Sequence, residues 1–195
     1  EGAFVDCSSL TNVTIPNGVT TIEKYTFGFC TSLLSIQIPN SVETIGIGAF
    51  SNCEGLTEMT LPNTITSINI DTFRGCTKLS DITLPNTLTH IGECAFHGCF
   101  HLKKIVLPNT VASIDRGAFS NCAFLTEITL SDSLTNIADD SFSHCMNLKE
   151  ITIPDTVTYI GAYSFEGCIN LKEIIIPNSV TYLGLKAFGN CPALE

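Results

Sequence analysis

The side chains with most chemistry to offer are ten cysteines and four histidines. Thiols in that number invite a disulfide framework or a metal centre built from thiolates and imidazoles. Spacing argues against both for nine of the ten. Cys7, Cys30, Cys53, Cys76, Cys99, Cys122, Cys145, Cys168 and Cys191 recur every 23 residues without an insertion. Equivalent residues of stacked units leave the backbone in parallel, with Cβ atoms about 5 Å apart, whereas a disulfide needs ~3.5–4.5 Å. The expectation is a column of buried thiols acting as small apolar filler. Cys94 stands outside the column. Its run, Cys94-Ala95-Phe96-His97-Gly98-Cys99-Phe100-His101, gathers two Cys and two His, a set that zinc uses. Cys99, however, belongs to the inward column. The positions of His97 and His101 carry Ser51, Arg74 and Glu166, or Ser32, Lys78 and Asn147, in other units. Those are outward choices, so four ligands should not converge. Cys94 is expected as a free, exposed thiol, and no metal or cofactor is expected.

Catalysis finds no better footing. The chain lacks the nucleophile-elbow, zincin, phosphate-loop, dinucleotide and calcium-loop patterns. His90, His97, His101 and His144 all occupy variable positions that read as outward, and no carboxylate pair is singled out by spacing. A stack of near-identical units also lacks the water-excluding pocket that an active site needs. The chain is therefore read as non-enzymatic. Its net charge of −10 argues against nucleic acid and anionic membrane surfaces, which select basic patches. With 44% hydrophobic and only 14% charged residues, it can bury a core and does not read as disordered. No run approaches the ~18 apolar residues of a membrane span.

The elements that carry these residues follow from the same period. Phenylalanine keeps the step three residues before each cysteine of the column, and leucine three residues after. The unit reads F-x-x-C-x-x-L-x-x-[IVM]-x-[IL]-P-[ND]-x-[VIL]-x-x-[IL]-x-x-x-[AST]. In the second unit, Ile36-Gln37-Ile38 alternates inward and outward, as a strand requires. Pro39-Asn40 ends that strand. Val42 and Ile45 point inward from a second extended piece. Phe50 and Cys53 have the spacing of one helical turn, and Ala49 is small enough for a tight corner. One such unit cannot bury its apolar face alone; stacked units can. The expected fold is a right-handed, curved solenoid of 23-residue coils, with a parallel sheet on the concave face and short extended pieces and single helical turns elsewhere. A single array of about eight full coils should span residues 1–195.

The runs Leu79-Ser80-Asp81-Ile82-Thr83-Leu84-Pro85-Asn86 and Ile91-Gly92-Glu93-Cys94-Ala95-Phe96-His97-Gly98-Cys99 resemble the BspA-like class of leucine-rich repeats, and the likeness covers the whole chain. The resemblance implies a surface or secreted protein of a host-associated bacterium or parasitic protist. It also implies a protein ligand, with extracellular-matrix or plasma proteins such as fibronectin and fibrinogen as examples. It carries over no binding motif. Ser131-Asp132 departs from the Pro-Asn of the other units, and a small change in that turn with no loss of the coil is expected. The chain begins and ends within a repeat, so its ends read as boundaries inside a longer protein whose caps lie outside. An exposed apolar end that associates end to end is then expected.

The candidate contact surface is the concave sheet. Before the central apolar residue of each strand stand Glu58, Asp81, Lys104, Glu127, Glu150 and Glu173; after it stand Gln37, Val106 and Ile175 where other units have threonine. Threonine and paired charges are also what an ordinary strand would select, so the departures from the habit mark the search. The leading reading is an adhesion or protein-binding module at the cell surface or outside the cell, working through this face. The other is a structural spacer that presents a neighbouring domain and binds nothing.

Overall fold

The structure, a computed structural model, describes residues 1–195. Two series of short parallel strands follow one another along it, each advancing by one 23-residue coil. The first collects three-residue strands from Glu58–Thr60 to Glu173–Ile175, preceded by an isolated bridge between Thr14 and Gln37. The second collects two-residue strands from Thr21–Ile22 to Tyr182–Leu183. The solenoid makes about 7 turns. Register places like on like: Met59 beside Ile82, and Ile68, Ile91 and Ile114 in one row. In the first series the strands pair two by two. Glu58–Thr60 joins Asp81–Thr83, Lys104–Val106 joins Glu127–Thr129, and Glu150–Thr152 joins Glu173–Ile175.

The prolines end each strand and open a turn. The Pro39 carbonyl accepts the Val42 N–H at 3.0 Å, and Pro85 accepts Leu88 at 3.0 Å. At the departing unit the Ser131 carbonyl accepts Leu134 at 3.1 Å in the same way, and its Oγ accepts the Ser133 N–H at 3.1 Å. A side-chain acceptor thus replaces the ring, and the coil is kept.

The single helical turns expected around each phenylalanine are absent; no helix forms anywhere in the chain. Two backbone features explain this. In every coil the residues two before and two after the column phenylalanine sit in the left-handed region, as with Asp71 (φ 55°) and Gly75 (φ 69°) around Phe73. Left-handed residues cannot continue a right-handed helix. Alternate N–H groups therefore point along the solenoid axis instead of back into the coil. Asp71, Phe73 and Gly75 donate to Glu93, Ala95 and His97 of the next coil at 2.9, 2.8 and 2.8 Å. The turn side is a hydrogen-bonded ladder of its own. The core phenylalanine rings on this side lie 5.2–5.6 Å apart, above the ~4.8 Å typical of paired strands. The difference favours strands on the inner side of the curve.

The core is one cluster of 49 buried residues arranged in columns. Phe50, Phe73, Phe96, Phe119, Phe142 and Phe165 are fully buried and stack with interplanar angles of 4–16°. Nearly parallel rings at such centroid distances are offset, which is the favoured geometry.

Candidate binding surface

The three-residue strands present their outer side chains as the alternation requires. Each central residue points inward, and the residues on either side are exposed. All nine sequence-derived candidates are exposed: Gln37, Glu58, Asp81, Lys104, Val106, Glu127, Glu150, Glu173 and Ile175. Register arranges them in rows. Glu58 lies beside Asp81, Lys104 beside Glu127, and Glu150 beside Glu173. Lys104 Nζ meets Glu127 Oε2 at 2.6 Å, both side chains more than half exposed. Such a pair in solvent is worth ~1 kcal/mol or less. Glu58, Asp81, Glu150 and Glu173 have no cation within 4.0 Å. The carboxylate rows Glu58–Asp81 and Glu150–Glu173 therefore repel across strand neighbours. Val106 and Ile175 stand 66% and 83% exposed, so the apolar departures from the threonine habit do face solvent.

The sheet side is hollowed. A groove of about 840 Å³ runs over Asn12, Thr14, Gln37, Glu58 and Thr60. A second, of about 370 Å³, runs over Asp81, Thr83, Lys104 and Val106. The structure thus places five of the nine candidates in two neighbouring depressions. Their openness to solvent suits side chains of a macromolecule better than an enclosed small molecule.

The cysteine-histidine cluster disperses. Cys99 is buried and donates its thiol to the Phe73 carbonyl at 3.2 Å. His101 turns its Nδ1 to the Thr77 carbonyl at 2.7 Å. No three side chains of metal-ligating type converge anywhere in the chain. The expectation of an exposed Cys94 needs correction: the thiol is half-buried, on a left-handed residue (φ 53°). A methyl group added at Gly117 of the next coil would lie 3.3 Å from its Sγ. Burial, helped by the Asp71 carboxylate, raises its pKa, which makes it a poor nucleophile. The histidines depart from expectation too. Only His101 is exposed; His90, His97 and His144 are half-buried. Burial, then the Arg74 charge, lowers the pKa of His97.

The column cysteines are all free thiols, and they do more than fill space. Each of the eight from Cys30 to Cys191 donates to the carbonyl of the phenylalanine one coil back, at 3.1–3.3 Å. The period reveals the column, but not its donor role. The sequence also gave no prominence to Phe100, Phe124, Met146 and Ile169, which stand exposed at the corner between the turn and the sheet.

Comparison with known proteins gives a consistent result. The family described as "BspA type Leucine rich repeat region" matches in six copies, over residues 1–122 and 68–195. Among solved structures, a leucine-rich repeat protein from Bacteroides ovatus is 36% identical with a TM-score of 0.86; the match covers 89% of this chain and 47% of that one. The T. pallidum leucine-rich repeat protein is 29% identical with a TM-score of 0.74, over 95% of this chain and 78% of that one. A pneumococcal vaccine antigen, PcpA, shares the fold at 21% identity and a TM-score of 0.58, over 95% of this chain and 61% of that one. The chain spans about half the length of the Bacteroides ovatus protein. No curated protein matches it.

Proposed function

We propose a binding role from one premise: the chain belongs to the BspA-type leucine-rich repeat family. Repeats of this family are typical of surface proteins and of protein interaction. No helix of the chain is long and apolar enough to cross a membrane. The proposed role is that of an extracellular or cell-surface adhesion module whose hollowed sheet takes a protein ligand. Host matrix or plasma proteins are the first ligands to try.

One observation carries the reading. The sheet face bears carboxylates in register without cations, beside isolated exposed apolar groups, where a sheet optimised for itself would alternate charge or carry threonine throughout. Carboxylates that repel one another gain most from a partner that brings positive charge. The test uses immobilised fibronectin and fibrinogen. Binding should be salt-sensitive and fall at least tenfold, about 1.4 kcal/mol, when the unpaired Glu58, Asp81, Glu150 and Glu173 are reversed to lysine. Binding that survives the reversal removes this face from the function. No binding by the wild type removes those two ligands.

A further inference from the structure

Four large apolar side chains stand in consecutive coils at the corner where the turn leads into the sheet. Phe100, Phe124, Met146 and Ile169 each leave 42–49% of their surface exposed. Each follows its column cysteine by one or two residues. The four preceding coils are an internal control, because the same two positions hold Ser8-Ser9, Thr31-Ser32, Glu54-Gly55 and Thr77-Lys78.

A second column changes at the same boundary. Four residues after the column cysteine stand Thr11, Leu34, Thr57 and Ser80, and then Lys103, Thr126, Lys149 and Lys172. The three lysines are exposed, and none has a carboxylate within 4.0 Å. Neither change is needed to build a coil, since the earlier coils adopt the same register without it. The corner is also held firmly. Asn147 and Asn170 donate to the Ala123 and Met146 carbonyls at 2.9 and 2.8 Å, and the His101 ring leans on Phe124 with centroids 5.4 Å apart.

We propose that this corner is a second docking surface, separate from the concave sheet, for a partner segment folded as an amphipathic α-helix with an acidic flank. Spacing selects the helix. The coil-to-coil step, read from the buried phenylalanine column inside this corner, is 5.2–5.6 Å, and same-face helix residues meet every ~5–6 Å. An extended strand repeats its face every ~6.7 Å and would slip about 4 Å over the four anchors. Charge selects the flank. The unpaired lysines run beside the apolar row and complement carboxylates spaced along one side of a helix. An anionic bilayer needs a broad positive field, which the neighbouring Glu127, Glu150 and Glu173 column denies. The overall negative charge of the chain gives an acidic partner no long-range attraction, so recognition rests on local contact.

The experiment measures fluorescence anisotropy of the whole chain with a labelled synthetic helix of about four turns, leucine along one face and glutamate along one flank. Two variants restore what earlier coils carry: Phe100→Thr with Phe124→Ser, and Lys149→Thr with Lys172→Thr. Circular dichroism checks that each array is intact. Each pair should weaken binding about tenfold or more. Reversal of Glu127, Glu150 and Glu173 to lysine should not weaken it. The proposal is overturned by no binding to the wild type, by equal binding to either corner variant, or by equal binding of the same helix with lysine for glutamate. Loss of binding on the triple reversal would move the helix to the concave sheet. Stronger association with phosphatidylserine vesicles than with the helix would replace it with a membrane contact.

Discussion

Truncating one ring in the middle of the phenylalanine column should cost far more than truncating the same residue at its edge. Phe96 is fully buried, with Phe73 stacked at 5.4 Å on one side and Phe119 at 5.2 Å on the other. Phe96→Ala removes the whole buried ring and leaves a cavity that the hydrogen-bonded coils on either side cannot close. Substitutions of that kind cost ~3–5 kcal/mol, of which each lost stacking pair is about 0.5–1.5 kcal/mol. Phe4 is 38% exposed and has one ring beside it, Phe27 at 5.3 Å. With about two-thirds of the burial and half the stacking, Phe4→Ala should cost ~1–2 kcal/mol. Urea unfolding followed by far-ultraviolet circular dichroism gives both values. The m-value checks that the array still melts as one unit, because a repeat protein can separate into segments. Equal losses for the two variants, or a loss under ~1 kcal/mol for Phe96→Ala, would refute the claim that the column is a packed, rigid core.

The thiol column should make the fold alkali-sensitive. Burial pushes the Cys53 and Cys122 thiols up to about 12, against ~8.5–9 for a thiol in an unfolded chain. A raised folded pKa gives stability that is complete below about pH 9 and lost as pH climbs towards 12, at ~1.4 kcal/mol per pH unit per thiol. Melting temperature should therefore fall steeply above pH 9, and Cys122→Ala should flatten the slope. A melting temperature constant to pH 11 would count against buried neutral thiols. In a second test, Ser164→Ala should leave stability unchanged or raise it by about 1 kcal/mol, because the Ser164 hydroxyl is buried without a hydrogen-bond partner. Alanine fills the same position at Ala95 and Ala118. A loss above ~1 kcal/mol in urea unfolding would mean that the hydroxyl has a partner.

Much of this architecture could be read from the sequence because a periodic chain states its core many times. A single Phe-x-x-Cys proves nothing, but nine in phase expose columns, strands and the outward rows at Glu127 and Ile175. What escaped reading has a common cause: spacing reports which way a side chain points, not its backbone conformation or hydrogen bonds. The positions of Tyr25, Asp71 and Cys94 look merely variable, yet they share a left-handed backbone that turns a supposed helical turn into an axial ladder. Ser41, Thr87 and Ser179 sit at a position taken as free in the repeat, but their hydroxyls bond to the carbonyls of Val19, Ile65 and Val157 in the coil before. The apolar corner was hidden because Phe124 is one step out of phase with Phe100, Met146 and Ile169.

The axial ladder on the turn side has a genetic consequence. Each of its bonds joins residues of one coil to those of the next at a fixed offset, as in Phe73 to Ala95 and Phe96 to Ala118. Recombination between two copies of the unit, adding or deleting 23 codons, would leave every junction of a kind already present. A single-codon insertion would throw the rings, the thiols and both series of strands out of phase together. Such a gene can change the length of its product in whole coils far more readily than it can tolerate a small insertion, while the outward positions of each copy remain free to diverge.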